Sequence, residues 1–534
     1  MADYIKNPVD IYGKRSAFPI HQRHQTSMPF GKLIPLYCEE VIPGDTWNCD
    51  LRNVIRIVSP FVNATYGDLF FDAFAFFVPM RIVWEHTKQF FGENDSGAWT
   101  QTKEYAIPST SFGAFPLFSL ADFFGLPLSL SSSLPISVLP LRGYYSIWNN
   151  YFRDENTQSP VVFSLGDFAT DISYASSPLD VCRYHDYFSS ALPAPQKGSA
   201  VDVFSSLSGF FPLDTSSSDH EFSSDVKLGV IGTGNGPYGL QINYPSAGSI
   251  SGVLQRNNAA GSGSAQSFNI RSSNLGVNIN SPAVDVNDLR QSIAVQRYLE
   301  KLARGGSRYI ERMRAIYGVT VPDDTAQIPV RLGGVHSRIS YSQIYQTSAT
   351  GDGTAQGHPV LYGMSNSEGS LINKSFVEPG YVFVLGCIRQ KHVYSQGLRK
   401  MWTKQSPLEF WNPGFSFLGE QAVHTTEIFG SAPSSSVFGY LPYGQEYRDF
   451  PDFVTGGLRP SSGADGLPTF TMADNYSSAP TLAGFMKEGQ FASNITRALA
   501  LQDTNNMFAC DFNLTGVVVR RMPVYGIPGL MDHF

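Results

Sequence analysis

The hydrophobic positions of this chain recur mainly with a period of two. From Thr46 to Ile57, Trp47, Cys49, Leu51, Ile55 and Ile57 alternate with Thr46, Asn48, Asp50, Arg52 and Arg56. Successive side chains of a strand point to opposite faces, so this alternation predicts a strand with one buried and one wet face. Leu69–Pro79 (LFFDAFAFFVP) is instead aromatic and nearly continuous, which predicts a strand covered on both faces. Tyr381–Tyr394 (YVFVLGCIRQKHVY) and Asp511–Arg521 (DFNLTGVVVRR) read as further strands. Strand material thus stands at both ends of the chain, with long irregular stretches between. That is the pattern of a sandwich whose first and last strands pair and whose connecting loops are enlarged.

A helical period is clearest after Asp288, which with Gln291 resembles a capping box. The helix is expected to run to Arg304, where Gly305 and Gly306 stop it. At about 100° per residue, Arg290, Arg297, Lys301 and Arg304 share one narrow face, and Val295, Tyr298, Leu299 and Leu302 the opposite one. Ser307 is expected to cap a second helix, Arg308–Tyr317, closed by Gly318. The basic face, with Arg308 beyond the glycine break, is the candidate nucleic-acid-binding surface. Long cationic side chains neutralise phosphates without reading bases. The competing accounts are a merely solvated face, or pairing with acids of a neighbouring subunit.

Two segments depart from both periods. Residues 1–32 are polar, mildly basic and broken by Pro8, Pro19 and Pro29, and read as an extended N-terminal arm. Gly198–Ser281 is dominated by Ser, Gly and Asn, with Lys227, Arg256 and Arg271 its only basic residues. It reads as an insertion on the outside of the fold, with strand character at Val226–Ile231 and Gly239–Tyr244; the alternative is a linker without fixed structure.

Composition narrows the class. Hydrophobic residues make up 42% of the 534, aromatics 13%, and charged residues only 16%, against roughly 25% charged in an average soluble protein. Low charge with many aromatics suits a protein that hides surface against other subunits, and equally a loop-rich monomer with a large core. The net charge of −7 excludes a general polycation, so any contact with nucleic acid must come from a local patch. The five cysteines are scattered, without a CxxC pair, which indicates neither a disulfide framework nor a zinc site. The start, MADYIKNPVD, has no apolar signal region, and no apolar run approaches the ~20 residues of a membrane span. The expected setting is a reducing cytoplasm.

The chain carries no GxxxxGK(S/T), HExxH, GxSxG or EF-hand loop. Gly234–Gly239 spells GxGxxG, but Pro237 and LQINYP follow where a dinucleotide site needs a helix N-terminus. His21 and His24 sit in the Pro-rich arm without a third ligand, and the pairs Glu39-Glu40 and Asp323-Asp324 have no His or nucleophile beside them. The expectation is a protein without enzymatic activity, metal or cofactor.

A series of segments then identifies a family. WNNYFRDENTQ (Trp148–Gln158), HDYFSSALPAPQKG (His185–Gly198), ARGGSRYIERMRAIYGV (Ala303–Val319), YSQIYQTS (Tyr341–Ser348), FGYLPYGQEYRDFPDFVTGGLRP (Phe438–Pro460) and the ending from Pro523 to His533 resemble, in order, segments of the major capsid protein of the Microviridae, gokushovirus branch. Ala194 and Phe450 depart from it, standing where a Trp and a basic residue are expected. Gly198–Ser281 lies outside the resemblance. The resemblance implies an all-β fold, a single eight-stranded viral jelly roll spanning 1–534 with long loop insertions and a few short helices. It implies sixty copies in a T=1 shell around a circular single-stranded DNA genome, with a small basic packaging protein and other virion proteins as partners. The insertion at 198–281 would then rise at the threefold axes and meet a host receptor. The virion is the expected location, after assembly in the bacterial cytoplasm. The rival from another class is a β-sandwich that binds or cleaves glycans.

Overall fold

The computed structural model describes residues 15–94, 104–111, 113–131, 134–168, 173–199, 201, 209–212, 240–241, 255–256, 276–279, 286–347, 356–463 and 466–524. The principal strands are β1 (Ser16–Met28), β2 (Ile34–Val41), β3 (Thr46–Ile57), β4 (Asp68–Pro79), β5 (Val330–Arg338) and β6 (Ser340–Tyr345). They continue with β7 (Pro359–Ser375), β8 (Gly380–Lys391), β9 (Glu420–His424), β10 (Val437–Pro442) and β11 (Phe508–Arg520). The longer helices are α1 (Leu139–Ile147), α2 (Val286–Arg304) and α3 (Tyr309–Tyr317).

Two sheets carry the fold. One runs β1-β11-β3-β7-β6 and the other β5-β4-β8-β2, with every neighbouring pair antiparallel. From β1 to β4 the chain alternates between the sheets, then turns back through β5 and β7 to β8 and β11. That winding is a jelly roll, as the resemblance implies, and the two sheets hold nine strands among the described residues. Strand β6 pairs with β7 from Ser340↔Met364 to Tyr345↔Pro359 and extends the sheet's edge. Strand β11 lies between the start and the body of the fold, pairing with β1 on one side and β3 on the other. First and last strands do pair.

Within the N-terminal segment the described residues begin at Arg15 and enter a strand at once. Ser16–Met28 is extended but hydrogen-bonded in register, from Ser16↔Arg520 to Met28↔Phe508. Phe18, Ile20, His24 and Met28 turn toward the sandwich while the alternate residues face out. Polar residues on both faces hide this period in the sequence, and Pro19 is tolerated because β1 is an edge strand. Arg23 on its outer face pairs with Asp511 of β11.

Burial explains the two kinds of strand. In β3 every second residue is buried from Trp47 to Ile57, and these side chains meet Leu69, Phe71, Ala73, Ala75 and Phe77 of β4 inside the sandwich. Phe71 stacks on Phe512 of β11 at 5.4 Å between ring centroids. The other face of β4, with Phe76 and Val78, belongs to a second core, where the connection between β4 and β5 folds back as α1 with Leu139, Leu141, Tyr144 and Ile147. The four-stranded sheet is therefore packed on both sides, and β4 and β8 need apolar residues at consecutive positions.

Burial also silences the thiols. Desolvation pushes the Cys49 thiol up to about 11 and Cys387 up to about 12, so neither presents appreciable thiolate at neutral pH. Alkylation of the folded protein at these two positions should be slower than in denaturant by orders of magnitude. Mass spectrometry after timed labelling checks this, and equal rates in both states would contradict the burial.

The chain divides into two compact units, Met1–Gly198 with Leu299–Phe534, and Ser199–Tyr298. The second unit includes Ser199–Ser281 and the start of α2. Within it, Gly209–Pro212 pairs with Gly276–Ile279 and Leu240–Gln241 with Gln255–Arg256. Val226–Ile231 and the whole GxGxxG run, Gly234–Gly239, lie outside the described residues, as do residues 1–14 and 525–534.

Candidate nucleic-acid interface

Helix α2 starts at Val286, two positions before the expected cap, and ends at Arg304. Gly306 follows with φ +85°, a left-handed conformation that a side chain would strain and that stops the helix. Helix α3 is capped by Arg308 rather than Ser307: the Glu311 carboxylate accepts the Arg308 backbone N–H at 3.1 Å. The Ser307 hydroxyl instead donates to Asn156 Oδ1 at 2.8 Å. Gly318 closes α3 at φ +72° as expected.

The five basic residues fall into two groups. Arg290, Arg297, Lys301 and Arg304 are exposed and Arg308 is half-buried. Arg290 and Arg297 form no ion pair with a described side chain, and Lys301 Nζ lies 3.5 Å from the Ile316 carbonyl. Arg304 is ion-paired with Glu420 of β9, whose carboxylate is itself covered. Arg308 is a clasp. Its guanidinium reaches Glu155 at 3.2 Å, Glu311 at 3.4 Å and the Arg153 carbonyl at 2.8 Å. Burial works to raise the Glu155 carboxyl, but Arg308 and backbone N–H groups outweigh it and hold Glu155 below its ordinary range. Burial, and next to it the Glu155 charge, hold Glu311 above its own. Arg308 thus fastens ARGGSRYIER onto FRDEN, two segments far apart in sequence.

The expected apolar face of α2 is only partly covered. Leu299 and Leu302 are half-buried, while Val295 and Tyr298 are exposed in the single chain.

A second polar constellation has no counterpart among the sequence motifs. Arg183 meets His392, Asp474 and Glu488 of the long connection between β8 and β11, all with covered side chains. Arg183 reaches Asp474 at 3.0 Å, and the His392 ring lies 2.7 Å from Asp474 and 2.9 Å from Glu488. Asn494 donates to Asp474 at 2.7 Å and Tyr476 at 2.7 Å. The guanidinium of Arg183 also lies 4.0 Å from the Phe485 ring centre and 4.4 Å from that of Phe491. A histidine between two carboxylates could serve acid–base chemistry only where a substrate can reach it. Here solvent cannot, and the cluster acts as a buried clamp. Its members are scattered from 183 to 488, so no spacing in the sequence announces it.

Among the described residues no group of three or more His, Cys, Asp or Glu is placed to hold a metal, and no helix is long and apolar enough to cross a membrane.

Comparison with known proteins places this architecture. The family model described as capsid protein (F protein) matches residues 10–530. Capsid protein VP1 of Chlamydia phage 1 is 32% identical, covering 97% of this chain and 96% of its own. Capsid protein VP1 of Spiroplasma virus 4 is 32% identical, with 96% and 95% covered. Capsid protein VP1 of Bdellovibrio phage phiMH2K is 31% identical, with 98% and 97% covered.

Proposed function

The chain belongs to the phage capsid F protein family and is a structural capsid protein of the virion, and from that premise we propose that sixty copies close a T=1 shell around a circular single-stranded DNA genome. Assembly takes place in the bacterial cytoplasm, with a small basic packaging protein offsetting the chain's own negative charge, and the chain carries no catalytic activity. The single observation that supports this most is that relatives named as capsid proteins align along nearly the whole chain. The purified protein, with the other virion proteins supplied, should form shells roughly 25–30 nm across in electron micrographs, the scale that sixty compact subunits of this size enclose. A folded monomer at every concentration and salt would sink the reading.

Within that shell the exposed bases of α2 face the genome. Arg290, Arg297 and Lys301 carry the phosphate contacts, while Arg304 and Arg308 border them with charges already balanced by Glu420, Glu155 and Glu311. Changing Arg290, Arg297 and Lys301 to Gln should leave shells intact and weaken genome retention as salt rises. Each phosphate contact on single-stranded DNA adds about 0.7 to the slope of log affinity against log salt, so losing three shallows it by roughly two. Filter binding over a salt series reads the slope. An unchanged slope with defective shells would favour intersubunit pairing instead.

The Gly198–Ser281 insertion serves host attachment, as variable surface loops on a rigid scaffold do. Replacing Ser218–Ala265 by a short Gly/Ser linker should leave particles that assemble but adsorb poorly to host cells. Normal adsorption would remove that role.

A further inference from the structure

The long connection between β8 and β11 leaves unusual apolar surface bare. Trp402 and Phe450 are each 69% exposed and Phe453 61%. With Phe410 and Tyr447 they line one open cleft of about 850 Å³ on the Met1–Gly198, Leu299–Phe534 unit. Soluble monomers rarely leave large aromatic groups clustered in this way, because each bare ring keeps water from its own hydrogen bonding; such patches mark a contact.

The cleft is built, not frayed. Beside it Gly444, in a left-handed turn at φ +76°, lies against the Trp411 indole, where a Cβ would come within 2.5 Å of the ring. Trp411 in turn stacks on Tyr443 at 5.3 Å. Lys404 sits over the Tyr447 ring at 4.4 Å and pairs with Glu446 at 3.0 Å, and Arg399 lies 5.5 Å from the Phe453 ring centre. Tyr447 and Phe453 are therefore held in place before any partner arrives, which lowers the ordering cost of binding.

The charges choose the class of partner. The lining sets four Lys and Arg residues against four carboxylates. A neutral balance gives no net field to attract a phosphate chain, whereas an aromatic centre within a charge-paired rim is the anatomy of a protein–protein contact. A capsid protein assembles in many copies, so the partner of that chemistry is a second copy of this chain.

We propose that the cleft of Trp402, Phe410, Phe450 and Phe453 is an intersubunit contact that receives a second copy of this chain. The assignment rests on the shell reading above and adds to it the surface through which copies join.

The test uses the full chain. Trp402→Glu and Phe453→Glu alter exposed side chains, so each subunit should keep its wild-type melting temperature as a monomer. Each should need at least roughly tenfold more protein to assemble, since central aromatic residues dominate interface energies. Assembly is read by sedimentation, and Trp402→Phe should restore it. A second measurement needs no variant: hydroxyl-radical footprinting of wild-type protein should show Trp402 and Phe450 oxidised in dissociated subunits and protected in particles. Variants that assemble like wild type, or rings equally oxidised in both states, overturn the assignment while leaving the shell intact. Empty variant shells that fail only to hold DNA would also overturn it, in favour of a nucleic-acid role. Wild-type protein that forms no particle at all would instead count against the shell reading itself.

Discussion

Replacing Arg183 by Met should destabilise the subunit by about 3–5 kcal/mol, the usual cost of leaving one charge of a buried pair without its partner. Asp474 would remain in the dry clamp with its negative charge, facing His392 but without the guanidinium 3.0 Å away. Chemical denaturation of the purified variant measures the loss, and a change below about 1 kcal/mol would show that the clamp contributes little. The same cluster gives the protein a definite response to pH. Burial and Arg183 oppose protonation of His392, but Asp474 and Glu488 prevail and hold it above its ordinary range. Its contribution is complete below the unfolded-state value of about 6.5 and is lost as pH rises through the raised folded value. Asp474 behaves oppositely. Burial works against its charge, yet His392 and Arg183 hold it well below the usual carboxylate range. Its contribution is complete above about pH 4 and is lost as pH falls through the depressed folded value. As pH rises above about 6.5, wild-type stability should decline and that of His392→Gln should decline less. Parallel profiles would show that His392 does not titrate as the clamp requires.

Phe383→Ala is expected to cost a similar amount, about 3–5 kcal/mol, because it empties a site that the surroundings cannot fill. Phe383 is fully buried on the outer face of the four-stranded sheet, in the core that α1 shares with β8. Gly143 lies in the middle of α1, where glycine normally costs about 1 kcal/mol relative to alanine. A Cβ there would stand 2.6 Å from the tip of the Phe383 ring. Gly143→Ala should therefore destabilise the wild-type chain despite its better helix propensity. In the Phe383→Ala background it should become neutral or stabilising. A double-mutant cycle from thermal or denaturant unfolding measures this coupling. Additive effects would mean that α1 does not press on the sheet as described.

What could be read from the sequence follows from how local each cause is. Alternation along Thr46–Ile57 and the continuous apolar run ending at Pro79 reflect whether one or both faces of a strand are covered, and burial leaves that mark on every second residue or on every residue. The ends of α2 and α3 are legible to within two residues, since glycines mark helix termini through their own backbone freedom. The jelly roll itself and the capsid role came from ordered segments resembling a family, and not from any single period. The winding that seats β11 between β1 and β3 is set by pairings hundreds of residues apart, for which a single sequence carries no spacing signal.

The candidate basic face shows the same division. That Arg290, Arg297, Lys301 and Arg304 share one side of α2 was fixed by helical geometry alone. Which of those charges remain available was not, because the neutralising acids come from elsewhere: Glu420 from β9, and Glu155 from the segment after α1 for the neighbouring Arg308. The buried clamp lies wholly on the tertiary side. Arg183, His392, Asp474 and Glu488 look like ordinary polar residues of loops and strand ends until folding removes water from all of them together. Sequence by itself determined β3, β4, β8 and β11, the helical faces and the family; only the fold decided which charges cancel, since a Coulomb partner is chosen by distance in space and by the water excluded around it.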